Sequence, residues 1–269
     1  MNYDLPPPNE AQIRWMERLL QPWNWLTEPV YLSTYNIPKD GPVLFVGNHS
    51  LMGGLDVPLL ALHLYQEHDI FLRILVDHAH FKLPLLRDFL ARLGEVEGTP
   101  ENALALMRQK QYLLVYPGGA REAFKQKGEA YQLLWRNHLG FARLAIAAGC
   151  PIVPLATVGA EECYDIVLDR EELLQTPLGQ IMERFRLRKD LLPPLVKGLG
   201  PSFLPKPQRF YFKFGRPIDS RPFAELGEEA GPLALRDQVK LALEKEIAEL
   251  QEYRKIDPKK EFWRRILPF

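Results

Sequence analysis

Cysteine is nearly missing from this chain: Cys150 and Cys163 are the only two in 269 residues. Two isolated thiols exclude a disulfide-stapled fold and a cysteine-cluster metal site, and both read as small core hydrophobes in a reducing compartment. Net charge is missing too, with 34 Lys plus Arg against 34 Asp plus Glu. No global field therefore draws the molecule to nucleic acid, and any basic surface must be local. No run approaches the roughly 18 uninterrupted apolar residues of a transmembrane helix. Met1 to Pro8 carry neither the basic start nor the apolar core of a signal peptide, so a soluble or peripheral protein on the cytoplasmic side is expected. There is no internal repeat and no Gly-x-Ser-x-Gly elbow, which argues against a serine hydrolase. Asp77-His78-Ala79-His80 lacks third and fourth ligands at metal-binding spacing, so no metal is expected. His63 and His68 read as structural, and His138 as a surface residue.

What is present is 46% hydrophobic residues in a chain long enough for one large core. Strand-like runs at Val30 to Tyr35, Val43 to Val46, Phe71 to Val76, Tyr112 to Tyr116, Ile152 to Thr157 and Arg209 to Phe214 alternate with helical patterns. The helices are expected over Val57 to Gln66, Leu85 to Leu93, Glu101 to Lys110, Gly140 to Ala148 and Leu233 to Gln251. Such alternation specifies a layered α/β fold, a partly parallel sheet flanked by helices. Residues 30–222 form its body, 1–29 an amphipathic amino-terminal segment, and 223–269 a helix and basic-aromatic tail packed on the same domain. Asn9 caps a helix from Glu10 to Gln21, with Pro22 as its stop. Its wheel gathers Ile13, Trp15, Met16, Leu19 and Leu20 on one half, suited either to a bilayer interface or to the domain's own core. Between Glu161 and Pro207 apolar residues mix with Arg184, Arg186, Arg188 and Lys189 and then with recurring prolines. This reads as a solvated helix plus an irregular loop, or as a lipid-facing surface.

Two motifs carry chemistry. The first is Val46-Gly47-Asn48-His49-Ser50-Leu51-Met52-Gly53-Gly54-Leu55-Asp56. An imidazole at the carboxyl end of a buried strand, oriented by one carboxylate, can take a proton from a hydroxyl near neutral pH. The plainer reading is a helix start capped by Asp56. The second, Leu113 to Glu122, runs an apolar strand into Pro117-Gly118-Gly119-Ala120-Arg121-Glu122. Glycine amides there approach a ligand closely, and arginine offers a fork for phosphate or carboxylate. The plainer reading is an ordinary turn with a surface arginine.

The His-to-Asp order after a strand, Pro-Gly-Gly-Ala-Arg-Glu-Ala-Phe, Gly140-Phe141-Ala142-Arg143-Leu144-Ala145 and Ile152-Val153-Pro154 together resemble the glycerolipid acyltransferase superfamily. This superfamily includes the lysophosphatidic acid acyltransferases, and the likeness is nearest to its diacylglycerol acyltransferase and phytyl ester synthase-like branch. It covers roughly Gly41 to Ile218. The resemblance implies a glycerol-phosphate acyltransferase-like fold and transfer of an acyl group to a lipid hydroxyl. The thioester donor would be acyl-coenzyme A or acyl carrier protein as co-substrate, with no cofactor. His49 would be the general base and Asp56 its orienting carboxylate. Gly118, Gly119 and Ala120 would supply oxyanion amides, Arg121 would hold donor phosphate, and Asn48 and Glu122 would stand behind. The implied partners are a membrane surface and the acceptor, and no nucleic acid.

This chain departs from the phosphate-ester enzymes in three places. Six residues, rather than four, separate His49 from Asp56; on a continuous helix that puts them two turns, roughly 10 Å, apart, so contact needs Gly53 and Gly54 to fold the turn back. Leu93 to Asn102 contains no arginine, and Gly118 stands where the glycerol-phosphate branch has glutamate. The last two point to a neutral alcohol. The alternatives are a lysophospholipid or lysophosphatidic acid acyltransferase and, from other classes, a thioesterase or a non-catalytic lipid-binding protein.

Overall fold

The computed structural model describes residues 9–77, 94–177, 179 and 192–266. The helix expected over Leu85 to Leu93, His78, His80 and the basic run from Arg184 to Lys189 lie outside the described residues. A seven-stranded sheet carries the fold, built from β1 (Val30–Leu32), β2 (Val43–Gly47), β3 (Leu72–Val76), β4 (Glu95–Glu97), β5 (Tyr112–Val115), β6 (Ile152–Val158) and β9 (Tyr211–Phe214). Its order is β1-β9-β6-β2-β5-β3-β4; every neighbouring pair is parallel except β6 and β9. All six strands read from the sequence are present. The first is shorter than expected, because residues 34–36 close into a 3-10 turn instead. The three-residue β4 was not anticipated, being too short for an alternating pattern to register.

Strands β2 and β6 are buried at every position, the mark of central parallel strands covered on both faces. Their alternation separates two cores. Leu44, Val46, Ile152 and Ala156 face helices α3 (Pro100–Arg108), α5 (Gly140–Ala148) and α7 (Ala230–Ile256). Phe45, Val153, Leu155 and Phe212 face α2 (Val57–His68) and α1 (Glu10–Thr27). On α7 the buried Leu235, Val239, Leu243, Ile247 and Leu250 recur at helical spacing. Each fully buried aliphatic side chain stabilises the fold by about 1.5–3 kcal/mol, enough together to hold this helix on the sheet. Helix α3 starts where Thr99 Oγ1 accepts the Asn102 amide at 3.2 Å, with Pro100 in the first turn.

Helix α1 corrects two expectations. Asn9 caps it through a reciprocal box with Gln12, but the helix passes through Pro22 and ends at Thr27. A proline inside a helix costs about 3 kcal/mol, and tertiary contacts of the second half offset it. The Trp23 indole N–H donates to the Leu55 carbonyl at 2.9 Å, and its ring meets Phe210 edge-on at 5.7 Å. The apolar half of the wheel is also divided. Ile13 is buried and Met16 and Leu20 half-buried against the domain, whereas Trp15 and Leu19 are 53% and 58% exposed. No helix among the described residues is long and apolar enough to cross a membrane.

The region after β6 is more regular than the sequence suggested. Strands β7 (Asp165–Leu168) and β8 (Leu195–Lys197) pair antiparallel as a separate two-stranded sheet, with the short helix α6 (Arg170–Leu174) following β7. The tail bears the short α8 (Phe262–Ile266), whose Arg265 donates to the carbonyls of Leu26 and Pro207 at 2.8 and 2.9 Å. That basic residue fastens the tail to the end of α1. Cys150 and Cys163 are buried free thiols, pushed up to about 12 by desolvation.

Candidate active site

Parallel pairing of β2 with β5 and β6 brings the carboxyl ends of these strands to one sheet edge, and both motifs emerge there. Asn48 continues the β2 ladder with its side chain: Nδ2 donates to the Thr157 carbonyl at 2.9 Å and Oδ1 accepts the Thr157 amide at 2.8 Å. It is therefore a buried strand-end tie that fixes where His49 begins. The peptide of His49 is clamped on both sides by one short segment that follows β5. The fully buried carboxylate of Glu122, on α4 (Gly119–Ala123), accepts the His49 amide at 2.7 Å and the Leu134 amide at 3.1 Å. Lys125, three residues on, donates from its ammonium to the His49 carbonyl.

The glycines of both motifs have steric reasons. A Cβ on Gly118 would lie 2.1 Å from Glu122 Oε2, so the buried carboxylate fills the space that a side chain at 118 would take. Gly53 turns at φ +64°, and a Cβ there would lie 2.6 Å from Cε1 of His49. The imidazole is thus held between the Gly53 backbone and the Tyr116 ring, whose centroid is 4.5 Å away.

Asp56 is buried just before α2, and its Oδ1 accepts from Ser50 Oγ at 3.1 Å. Its Oδ2 is buried with no hydrogen-bond partner. The capping reading fails, because Asp56 makes no side-chain cap to α2. Burial pushes its carboxyl up to about 6, against the lowering effect of backbone and Ser50 hydrogen bonds.

Behind the imidazole lies a buried charge cluster that the sequence did not disclose. Lys125 and Glu161 are 1% and 5% exposed, and their charged atoms stand 2.7 Å apart, an ion pair off the line of an ideal hydrogen bond. Burial raises the carboxyls of Glu122, to about 7, and of Glu161, while the Lys125 ammonium pulls both back down. Two buried carboxylates beside one ammonium leave Lys125 as the counter-charge that keeps the group together. In sequence both residues look like surface charges, Lys125 beside Gln126 and Lys127, Glu161 beside Glu162.

Arg121 is placed differently from expectation. Its guanidinium forks onto the Glu129 carboxylate at 2.8 and 2.5 Å, and it does not line the cavity that holds His49. Gly119 and Ala120 do line it, but the Gly119 amide donates to the Tyr116 carbonyl at 2.9 Å and is engaged in the turn. His138, expected to be a plain surface residue, bonds through Nδ1 to the Pro117 carbonyl at 2.8 Å and steadies the Pro-Gly-Gly turn.

The cavity has a volume of about 350 Å³, with His49 and Tyr116 in one wall and Met16, Val57, Ile74, Val76 and Phe124 among its apolar side chains. Besides His49 and Tyr116 its polar side chains are the acidic Asp77 and Glu95, and no Lys or Arg among the described residues lines it. Glu95 Oε2 is buried without a hydrogen-bond partner, and burial pushes this carboxyl up to about 7. A larger surface cavity of about 690 Å³ between α1, α2 and α8 contains none of the motif residues. His63 lines it, stacked on Tyr31 at 3.5 Å and driven by burial down to about 4, a neutral packing residue.

Known proteins share this arrangement of chain. The acyltransferase family pattern matches residues 31–158. Phytyl ester synthase 1, chloroplastic, of Arabidopsis thaliana is 33% identical across 82% of this chain, and phytyl ester synthase 2, chloroplastic, 32% across 90%. This chain spans only 34% and 38% of those two proteins' lengths. The "DGAT1/2-independent enzyme synthesizing storage lipids" of Bos taurus is 30% identical over 48% of this chain and 38% of its own. In fold, the chain matches the crystal structure of the 1-acyl-sn-glycerophosphate (LPA) acyltransferase PlsC from Thermotoga maritima. The TM-score is 0.55 at 17% identity, covering 90% of this chain and 79% of that one.

Proposed function

Because this chain belongs to the glycerolipid acyltransferase superfamily, near its phytyl ester synthase branch, we propose that it is an O-acyltransferase moving a fatty acyl group from a thioester to the hydroxyl of a neutral lipid alcohol. The observation that carries the choice of acceptor is the lining of the His49 cavity: apolar walls, two acidic side chains and no cation among the described residues. Among the described residues a phosphorylated acceptor would meet Asp77 and Glu95 and no lysine or arginine, whereas an alcohol with a hydrocarbon body meets matching surface. Diacylglycerol, long-chain alcohols and phytol-like alcohols are of this class.

In the reaction His49 takes the hydroxyl proton as the alcohol oxygen attacks the thioester carbonyl carbon. The carbon–sulfur bond then breaks, and His49 returns its proton to the departing thiolate. The scheme forms no acyl-enzyme and needs no resident cofactor. Asp56, with its unpartnered Oδ2, is the buried carboxylate assigned to the imidazolium that forms. Arg121 reaches a donor phosphate of coenzyme A or acyl carrier protein only by exchanging Glu129 for it, which makes that ion pair part of donor binding.

The acceptor is collected from a bilayer. Met16 lines the cavity, while Trp15 and Leu19 on the same helix are exposed to solvent, so α1 presents an apolar stripe beside the entrance. This corresponds to a peripheral position on a cytoplasmic membrane face. The test is incubation of purified protein with labelled palmitoyl-coenzyme A and diacylglycerol, a long-chain alcohol, phytol or lysophosphatidate. Esters from the neutral alcohols are expected; product from lysophosphatidate alone overturns the assignment.

A further inference from the structure

A second apolar surface lies far from α1 in sequence, in the loop that follows β8. Between Lys197 and Lys206 the chain reads Gly198-Leu199-Gly200-Pro201-Ser202-Phe203-Leu204-Pro205. Leu199, Phe203 and Leu204 are 58%, 67% and 66% exposed, a concentration of large apolar side chains that water disfavours.

The loop's backbone explains what it is suited to. Pro201 and Pro205 carry no amide N–H. Gly198 donates to the Ser202 carbonyl and Leu199 to the Leu204 carbonyl, both at 2.7 Å. Ser202 donates to the Leu199 carbonyl at 3.3 Å, and Leu204 to Ser202 Oγ at 3.2 Å. The loop folds back so closely that a Cβ on Gly198 would lie 1.9 Å from the Leu204 carbonyl oxygen. Among the described residues, the amides of Gly200 and Phe203 have no such acceptor. An ordinary exposed loop leaves its amides to water, whereas irregular backbone entering a low-dielectric layer must satisfy them within itself.

The base of the loop carries charge of one predominant sign. Lys197 is exposed at the end of β8, and Lys206 closes the other side, its ammonium 2.7 Å from Asp165. Asp165 is also the register partner of Lys197 across the β7–β8 pair, so the base of the loop gathers two lysines and one carboxylate. Apolar tip above and lysines below is the order in which acyl chains and anionic headgroups succeed one another at a membrane surface. The small sheet bearing this loop follows β6 out of the same sheet edge that carries His49.

We propose that the loop 198–205 is a membrane-inserting tip, its apolar residues entering the bilayer and Lys197 and Lys206 meeting anionic headgroups. This is a second contact, separate from the helix assigned above and independent of the acyl-transfer reading.

The test measures partition of the full chain onto phosphatidylcholine vesicles with and without phosphatidylglycerol, read by flotation. Leu199→Ser/Phe203→Ser/Leu204→Ser is expected to lower partition by about tenfold or more, with its melting temperature unchanged because all three side chains are exposed. In a parallel arm, Phe203→Cys carries an environment-sensitive fluorophore; Cys150 and Cys163 are buried and leave the new thiol as the reactive one. Its emission should shift to the blue on vesicle addition, more with phosphatidylglycerol, while the same label on Glu244→Cys, exposed on α7, stays unchanged. No vesicle binding by the wild type, a silent label at 203 on vesicle-bound protein, or undiminished partition of the triple variant overturns the proposal. If Trp15→Ser/Leu19→Ser alone abolishes binding, the helix contact stands and the loop contact falls.

Discussion

Lys125→Met is the most informative single substitution, because the structure predicts both its cost and how that cost changes with pH. Methionine keeps most of the length of the stem and removes the ammonium, leaving Glu161 without its counter-charge and the His49 carbonyl without its donor. Both side chains of the pair are at least 95% buried, so the low cost of exposed pairs does not apply. Deleting one partner of a buried pair destabilises by about 3–5 kcal/mol. At pH 7.5 the loss should fall in that range, with a fall in kcat of roughly tenfold as the peptide under the imidazole loosens. Lowering the pH should restore part of the stability. The lone Glu161, already raised by burial, then takes up a proton that the unfolded chain does not bind, at up to about 1.4 kcal/mol per pH unit. Urea unfolding of wild type, Lys125→Met, Glu161→Gln and the double variant at pH 5.5 and 7.5 measures both effects. The double variant should be more stable than the sum of the single losses allows, by at least about 1 kcal/mol. A loss independent of pH, or additive singles, would refute the assignment of Lys125 as counter-charge to this cluster.

Other outcomes follow from the same geometry. His49→Ala should lower acyl transfer by about 10²–10⁴-fold with little change in melting temperature, since the clamps on its peptide are backbone bonds; retained turnover in a labelled acyl-coenzyme A assay removes the general base. Gly53→Ala combines an unfavourable positive φ with a Cβ 2.6 Å from His49 Cε1, so turnover should fall by more than the roughly 1 kcal/mol stability cost accounts for, as paired kinetics and denaturation would show. Asp56 has a raised pKa, so the native state keeps a proton that the unfolded chain releases; this contribution is full below about pH 4 and is lost as pH rises through about 6. Relative to wild type, Asp56→Asn should therefore gain about 1.4 kcal/mol between pH 5 and pH 8 in denaturant titrations, and a gain in the opposite direction would contradict the burial argument.

Much of the fold was legible because its periodicities are strong. Strands such as Val43 to Val46 and Ile152 to Thr157 are continuous apolar runs, and the α7 stripe repeats over several turns. Helix α1 was misjudged at Pro22, where local propensity favours a stop but the distant partners Leu55 and Phe210 hold the continuation. Of the candidate site, His49, Asp56 and the Pro-Gly-Gly turn were visible as residue types at a strand's end. Their roles were not equally visible: Asn48 ties strands, Glu122 holds the His49 amide, and Arg121 pairs with Glu129.

The sequence alone determined the alternation of strands and helices, the two motifs after β2 and β5, and the absence of an arginine in the block that contains Glu95, because these are properties of neighbouring residues. Only the tertiary structure decided that Lys125 and Glu161 are buried beside His49, that Trp15 faces outward while Ile13 faces in, and that no lysine or arginine among the described residues lines the cavity. The reason is physical. Burial and charge pairing depend on which distant segments the parallel crossovers bring to one sheet edge, and a lysine destined for the core is written with the same letter as one destined for water.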